Sequence, residues 1–446
     1  METALTPLEF LRRARKLHAS REAVVDRGQR WTYADFGARC DRWSSALARL
    51  GVKQGDRVGT IAPNTHQHLE QYYAVPQLGA VLVPMNYRLT AEDFVYLASH
   101  SGSKVLCVHP DYLESTGASV AEQTAIFGHR LMEGLTESGV VGFRCAGAAH
   151  FMDVAWKRAF DAGQYVGPRL FASGYFLTTT GGHFLTSGHA RECDGPYGFV
   201  RAIREQIKNG VDHIKLNLTG GIMGPAWDRH WQAFLLDEEL EAAFAICKRR
   251  GFRVMAHAAS PETVQAAARL GAHSVEHGYI MDAESIESLR AHGTWYVPTL
   301  AISHLTPEQA SDQWERRWVA ERGPAPDLCR RADMAAETHR KNFQQALAAG
   351  VKMALGSDIR PLREAALLEL GLWVKAGATP WQALLAATRY AAELCGMGGD
   401  LGTVEPGKLA DLIVVAADPL QSITNLRQLL LVFKEGRIVS DKRASR

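Results

Sequence analysis

Residues 254–278 read VMAHAASPETVQAAARLGAHSVEHG. Two short apolar runs, 252–256 and 272–276, lead into His257 and His277. The segment between them is rich in Ala, Leu, Glu and Arg, which predicts a helix flanked by two strands. A strand–helix–strand repeat at this spacing implies a parallel sheet buried on both faces.

The same pattern continues outward. Residues 211–218 (VDHIKLNL) form a run that carries Lys215, and residues 351–355 (VKMAL) lead through GSD to Asp358. Adding 139–145 (GVVGFRC), 169–173 (RLFAS) and 294–300 (TWYVPTL) gives about seven strand–helix units, against the eight of a closed barrel. The missing unit is the first, because nothing barrel-like precedes the helix expected over 119–138. The predicted fold class is α/β, a TIM-like (β/α)8 barrel without its first strand. In such a barrel the polar residues at the carboxyl ends of the strands share one mouth.

Those ends carry two imidazoles, a lysine and a carboxylate. Neutral imidazole nitrogens and a carboxylate suit zinc and similar divalent ions. An ammonium repels a cation, but N-carboxylation of Lys215 would turn it into an anionic ligand able to hold or bridge metal. Asp358 could then take a proton from attacking water and return it to a leaving nitrogen, which describes amide hydrolysis. Singly, a strand-end histidine is more often structural, a lysine a solvated charge and a GSD turn a helix cap. Their joint occurrence, in this order at successive strand ends, favours a site.

Residues from about 117 to 446 resemble the amidohydrolase superfamily, in its branch of Xaa-Pro dipeptidase, Xaa-Arg carboxypeptidase and imidazolonepropionase-like enzymes. The matching stretches are LTESGVVGFRCAG, AFDAGQYVGPRLFASGYFLTTTGGH, DHIKLNLTGG, the 254–278 stretch, ALGSD and DLGTVEPGKLADLIVVAADPLQSI. The resemblance implies that Lys215 is a carbamylated ligand, that His257 and His277 are the histidines of strands five and six, and that Asp358 is the strand-eight aspartate, both ligand and general base. It places His183, in TTGGH, near the substrate, and implies a divalent cofactor, zinc foremost, as one or two ions. The tail from Leu401 resembles the strands that, in such enzymes, build part of a small β-sandwich.

The beginning departs from that family, whose first barrel strand ends in a His-x-His pair of metal ligands. Residues 7–114 resemble instead the N-terminus of adenylate-forming acyl-CoA synthetases, which predicts helix, hairpin (23–32), helix (33–50), strand (57–62), helix and strand. The Ser/Thr/Gly-rich loop with which such ligases grip ATP is absent from all 446 residues. Neither TTTGGH at 178–183 nor TGASVAEQ at 116–123 follows its glycine with the lysine of a phosphate cradle. The organisation read from sequence is therefore 1–115, synthetase-like; 116–400, barrel; and 401–446, C-terminal strands. PDYLESTGAS, 110–119, is the boundary signal. His66-Gln67-His68 follows an apolar run; on a strand end the two histidines would face one side, whereas on the helix start that the synthetase resemblance implies they point roughly 200° apart.

Composition narrows the partners. The chain is 46% hydrophobic and 22% charged with a net charge of +2, enough for a large core and without a basic stripe for nucleic acid. Seven scattered cysteines without a CxxC suit a reducing cytosol. No run approaches the ~18 apolar residues of a membrane span, and a cytoplasmic location is expected. Residues 307–341 are expected to form a solvated helical insertion, with Trp314 and Trp318 on one face. The expected partner is a small amide, dipeptide, N-acyl amino acid or cyclic amide; a homo-oligomer is compatible with the composition. Two other readings stay open: an inactive fusion lacking the His-x-His ligands, and an acyl-CoA or adenylate-binding module. His189, Arg191, Tyr279 and Arg360 are candidates for a substrate carboxylate clamp that the sequence does not separate from surface polar residues.

Overall fold

The computed structural model describes residues 6–443 apart from 27, 28, 88, 90, 110–118, 186, 187 and 226. The boundary stretch 110–119 therefore lies almost wholly outside the described residues. The chain forms two compact units, one up to Ile126 and one from Phe127 onward.

The first unit contains α1 (Pro7–Leu17), a hairpin of β1 (Glu22–Asp26) and β2 (Gln29–Thr32), then α2 (Tyr33–Arg49), β3 (Arg57–Ile61), α3 (His66–Gln77), β4 (Val81–Met85), α4 (Ala91–Ser101) and β5 (Ser103–Val108). Strands β3 to β5 form a parallel sheet in the order β4-β3-β5. Thr32 caps α2 by accepting the Asp35 N–H, while Thr65 caps α3 by accepting that of His68. His66 and His68 thus sit in the first turn of a helix, not at a strand end. The His66 ring lies on Trp31, with Nδ1 2.8 Å from Asp26 Oδ2. The same-side grip on one ion that a strand end would offer does not arise.

The helix α5 (Val120–Ser138) leads into β6 (Gly142–Arg144), α6 (Met152–Asp161), β7 (Arg169–Phe171), β8 (Phe176–Thr178), β9 (Ala190–Glu192), α7 (Gly195–Asn209) and β10 (His213–Asn217). Then come α8 (Asp237–Arg250), β11 (Arg253–Ala258), α9 (Pro261–Leu270), β12 (Ser274–His277), α10 (Ala283–His292) and β13 (Trp295–Val297). The strands form a parallel sheet in the order β13-β12-β11-β10-β8-β9, with β6 and β7 as a separate parallel pair. Residue Ala172 joins the two sets by accepting the Asp212 N–H at 2.7 Å. Alternation of strands with helices in an all-parallel sheet makes this unit α/β and TIM-barrel-like. In α9, Pro261 fits the first turn, where its missing N–H is no loss, and Gly271 at φ 90° closes the helix in the left-handed region.

Three expectations need correction. Residues 351–355 form no strand: only Met353 bridges to Tyr296, flanked by Tyr296 N–H to Lys352 O and Ala354 N–H to Tyr296 O. A strand needs consecutive bridged pairs, and here only one pair is bridged. The 169–173 run is one of two pieces, since the chain turns at Gly174 (φ 65°) and resumes as β8. Finally, after the short α11 (Leu300–His304), the 307–341 region folds into α12 (Gln313–Arg322) and the start of α13 (Pro326–Ala348). It is helical, with Trp314 and Trp318 on one packed face as expected, but that face joins the main core, so the region is no solvated insertion.

After α14 (Leu362–Lys375) the unit ends in an antiparallel sheet of β14 (Leu412–Val415), β15 (Leu429–Lys434) and β16 (Arg437–Asp441). Leu429 and Val432 pack with Leu135 of α5, while Arg169 of β7 pairs with Asp411 at 3.0 Å and Glu435 at 2.7 Å.

Candidate metal centre

Register brings the predicted residues together. Asn217 pairs with His257 and Ala258 with His277, so the carboxyl ends of β10, β11 and β12 lie level. His257 and His277 have ring centroids 4.4 Å apart, and His183, from the loop after β8, lies 4.5 Å from His257. Lys215 is buried on β10, close enough to Glu276 and Asp358 for both to act on its charge.

Hydrogen bonds define the tautomer of each imidazole. His257 Nε2 lies 2.7 Å from the Gly220 carbonyl, which can only accept, so Nε2 carries the proton and Nδ1 is bare. His277 Nδ1 lies 2.7 Å from Thr299 Oγ1, whose own proton goes to the Pro298 carbonyl; His277 therefore donates from Nδ1 and keeps Nε2 bare. His183 Nδ1 lies 2.7 Å from Asp228 Oδ2, which leaves its Nε2 bare. Bare nitrogens oriented by a partner on the opposite ring atom are what metal-binding imidazoles need.

Burial holds His257 and His277 neutral, far below the usual imidazole range, with the Lys215 ammonium acting in the same direction. Burial also lowers the Lys215 ammonium to about 8, against the opposing pull of Glu276 and Asp358. Asp358 is crowded by protein, which raises its carboxyl above the ordinary value, yet solvent reaches the residue at the mouth. The backbone is left-handed at Phe184, His277, Thr299 and Asp358 (φ 59°, 72°, 53° and 53°). Such non-glycine positions each cost of order 1–3 kcal/mol and cluster at functional sites.

Among the described residues no three His, Cys, Asp or Glu side chains are spaced to hold one metal ion. The donor set fits a divalent ion only if Lys215 contributes as a carbamate, since two neutral imidazoles and an anionic oxygen are then present. The other clamp candidates divide. Tyr279 is buried, its ring 5.3 Å from His277 and 5.0 Å from His339. Arg191 is paired with Glu205 on the surface.

Two charged groups in this region escaped the sequence reading. Glu276, buried between Ser274 and Arg144, ends an apolar run in the sequence, although alternation from Ser274 points it to the same face. Asp228 belongs to an irregular loop, which carries no periodic signal.

Comparison with known proteins gives two kinds of match. The sequence profile of the amidohydrolase family matches residues 59–439. Ochratoxinase of Aspergillus niger is 29% identical over 358 residues, covering 74% of this chain and 70% of that protein. The crystal structure of a Xaa-Pro dipeptidase with bound methionine is similar at 28% identity and a TM-score of 0.64, over 72% of this chain and 80% of that one. A 113-residue segment, 25% of the chain, is 41% identical to 4-hydroxybutyrate--CoA ligase 2 of Metallosphaera sedula, of which it spans 21%.

Proposed function

Because the chain belongs to the amidohydrolase family, and is a hydrolase of carbon–nitrogen bonds, we propose that it cleaves a small amide, such as a dipeptide, an N-acyl amino acid or a cyclic amide. The observation that carries this reading is the row of His183, His257 and His277, each with one bare ring nitrogen, beside buried Lys215.

The family is generally dependent on divalent metal, and zinc suits the imidazole and carbamate donors. Lys215, as its carbamate, His257 through Nδ1, His277 through Nε2 and Asp358 are the residues that would hold it. A bound divalent ion supplies polarisation of the scissile carbonyl and a lowered pKa for water, to about 7. Asp358 accepts the proton that water gives up as its oxygen attacks the carbonyl carbon. It then passes that proton to the leaving nitrogen as the C–N bond breaks, giving a carboxylic acid and an amine. His183 stands where it can bind the substrate beside His257. The buried walls formed by Tyr279 and Tyr296 keep bulk water from the inner side.

The test is reconstitution with zinc and bicarbonate, followed by metal analysis and a panel of Xaa-Pro dipeptides and N-acyl amino acids. At least one substrate should be turned over, with loss of turnover in Lys215→Ala. Less than about 0.3 equivalents of bound zinc would overturn the reading, because sites with three protein ligands hold zinc tightly.

A further inference from the structure

Asp228 is fully buried in the loop after β10, and it meets three donors. Its Oδ2 accepts from His183 Nδ1 at 2.7 Å and from the Phe184 N–H at 3.2 Å, while Oδ1 accepts the Gly221 N–H at 2.8 Å. A buried carboxylate satisfied in this way ties the loop after β8 to the loop after β10.

The glycines of TGGIMG, residues 219–224, are explained by this pair. A Cβ on Gly221 would lie 2.1 Å from His183 Cε1 and one on Gly224 1.7 Å from Asp228 Oδ2, while one on Gly220 would meet the Arg229 carbonyl at 2.3 Å and Asp228 Oδ1 at 2.6 Å. No side chain can enter there without displacing the imidazole or the carboxylate. The loop is thus a mould for one ring orientation.

We propose that Asp228 is the positioning residue of His183. It fixes the Nδ1–H tautomer and holds the ring against His257. The logic is that of a carboxylate orienting a catalytic imidazole. The inference rests on the amide-hydrolase reading for its kinetic consequence, but not for its geometry.

Imidazole 15N NMR of the full chain tests it, with His183→Asn used to identify the His183 signals. The expected wild-type spectrum shows a protonated Nδ1 and a bare Nε2. Asp228→Asn offers one acceptor oxygen where three donors converge, so the single-tautomer signature should be lost. With zinc and bicarbonate, kcat of that variant should fall roughly 10–100-fold with little change in KM, as for other residues that orient an active imidazole. A wild-type His183 protonated at Nε2, or an Asp228→Asn variant with unchanged signature and kcat, would overturn the assignment. If the loaded wild type turns over no amide, the hydrolytic reading fails, and the wild-type spectrum still decides the role of Asp228 without any folded variant at that position.

Discussion

Arg144 reaches from β6 to Glu276 on β12: its Nη2 donates to Glu276 Oε1 at 3.0 Å, and its Nη1 to Ser274 Oγ at 2.9 Å. The side chains are 13% and 2% exposed, so the pair is a desolvated ion pair inside the parallel sheet. It sits next to Lys215 and contributes to the field that acts on it.

Removing one partner of such a pair leaves a buried charge alone. Arg144→Met should destabilise the protein by about 3–5 kcal/mol in urea unfolding, and Arg144→Met/Glu276→Leu should regain much of that loss. A single substitution that costs under about 1 kcal/mol would show that Glu276 finds another partner.

Only the free amine of Lys215 adds carbon dioxide. With the ammonium lowered to about 8, the free-amine fraction rises from roughly a tenth at pH 7 to roughly nine-tenths at pH 9, whereas an ordinary lysine remains charged. In metal-free protein with 13C-bicarbonate, a carbamate signal should appear at pH 8–9 and be missing from Lys215→Ala. Its absence from wild type throughout that range would remove Lys215 from the ligand set.

Three histidines outside the proposed ligand set, His304 and His339 buried and His273 half-buried, set an acid limit. Burial lowers His273 to about 4, His304 to about 4 and His339 to about 3. The unfolded state gains protons first as the pH drops below about 6.5, so the stability present above that value declines towards pH 4. Tm should therefore decrease steadily between pH 6.5 and 4.5, and His304→Gln should flatten the slope. An unchanged slope in that variant would mean that other groups govern acid unfolding.

Asp358 lies at the solvent-reached mouth, so Asp358→Asn should keep the fold and lose the proton shuttle. Turnover should fall by about 10²–10⁴-fold, with an unfolding free energy within about 1 kcal/mol of wild type. Loss of both together would indicate a structural role.

Much of this was legible because β10, β11 and β12 are written in their own residues. Their apolar runs end on Lys215, His257 and His277 in the order that the register later aligns. What was not legible depends on distant neighbours. Residues 351–355 have the composition of a strand, but pairing is a property of two segments, and Met353 keeps a single bridge. Asp228 meets His183 across 45 residues of sequence, with nothing local to announce it. Trp314 and Trp318 read as one packed face of a polar, charged helix, but only the packing shows that this face joins the main core.

The ties of Arg169 to the C-terminal sheet bear on how the protein is made. Arg169 and Glu435 are 266 residues apart, which at ordinary translation speeds of 5–20 residues per second separates their synthesis by roughly 13–50 s. During that interval Arg169 lacks both carboxylates, and Leu135 waits uncovered for Leu429 and Val432. The N-terminal face of this contact is thus made long before the strands that cover it, so its burial waits for the last part of the chain.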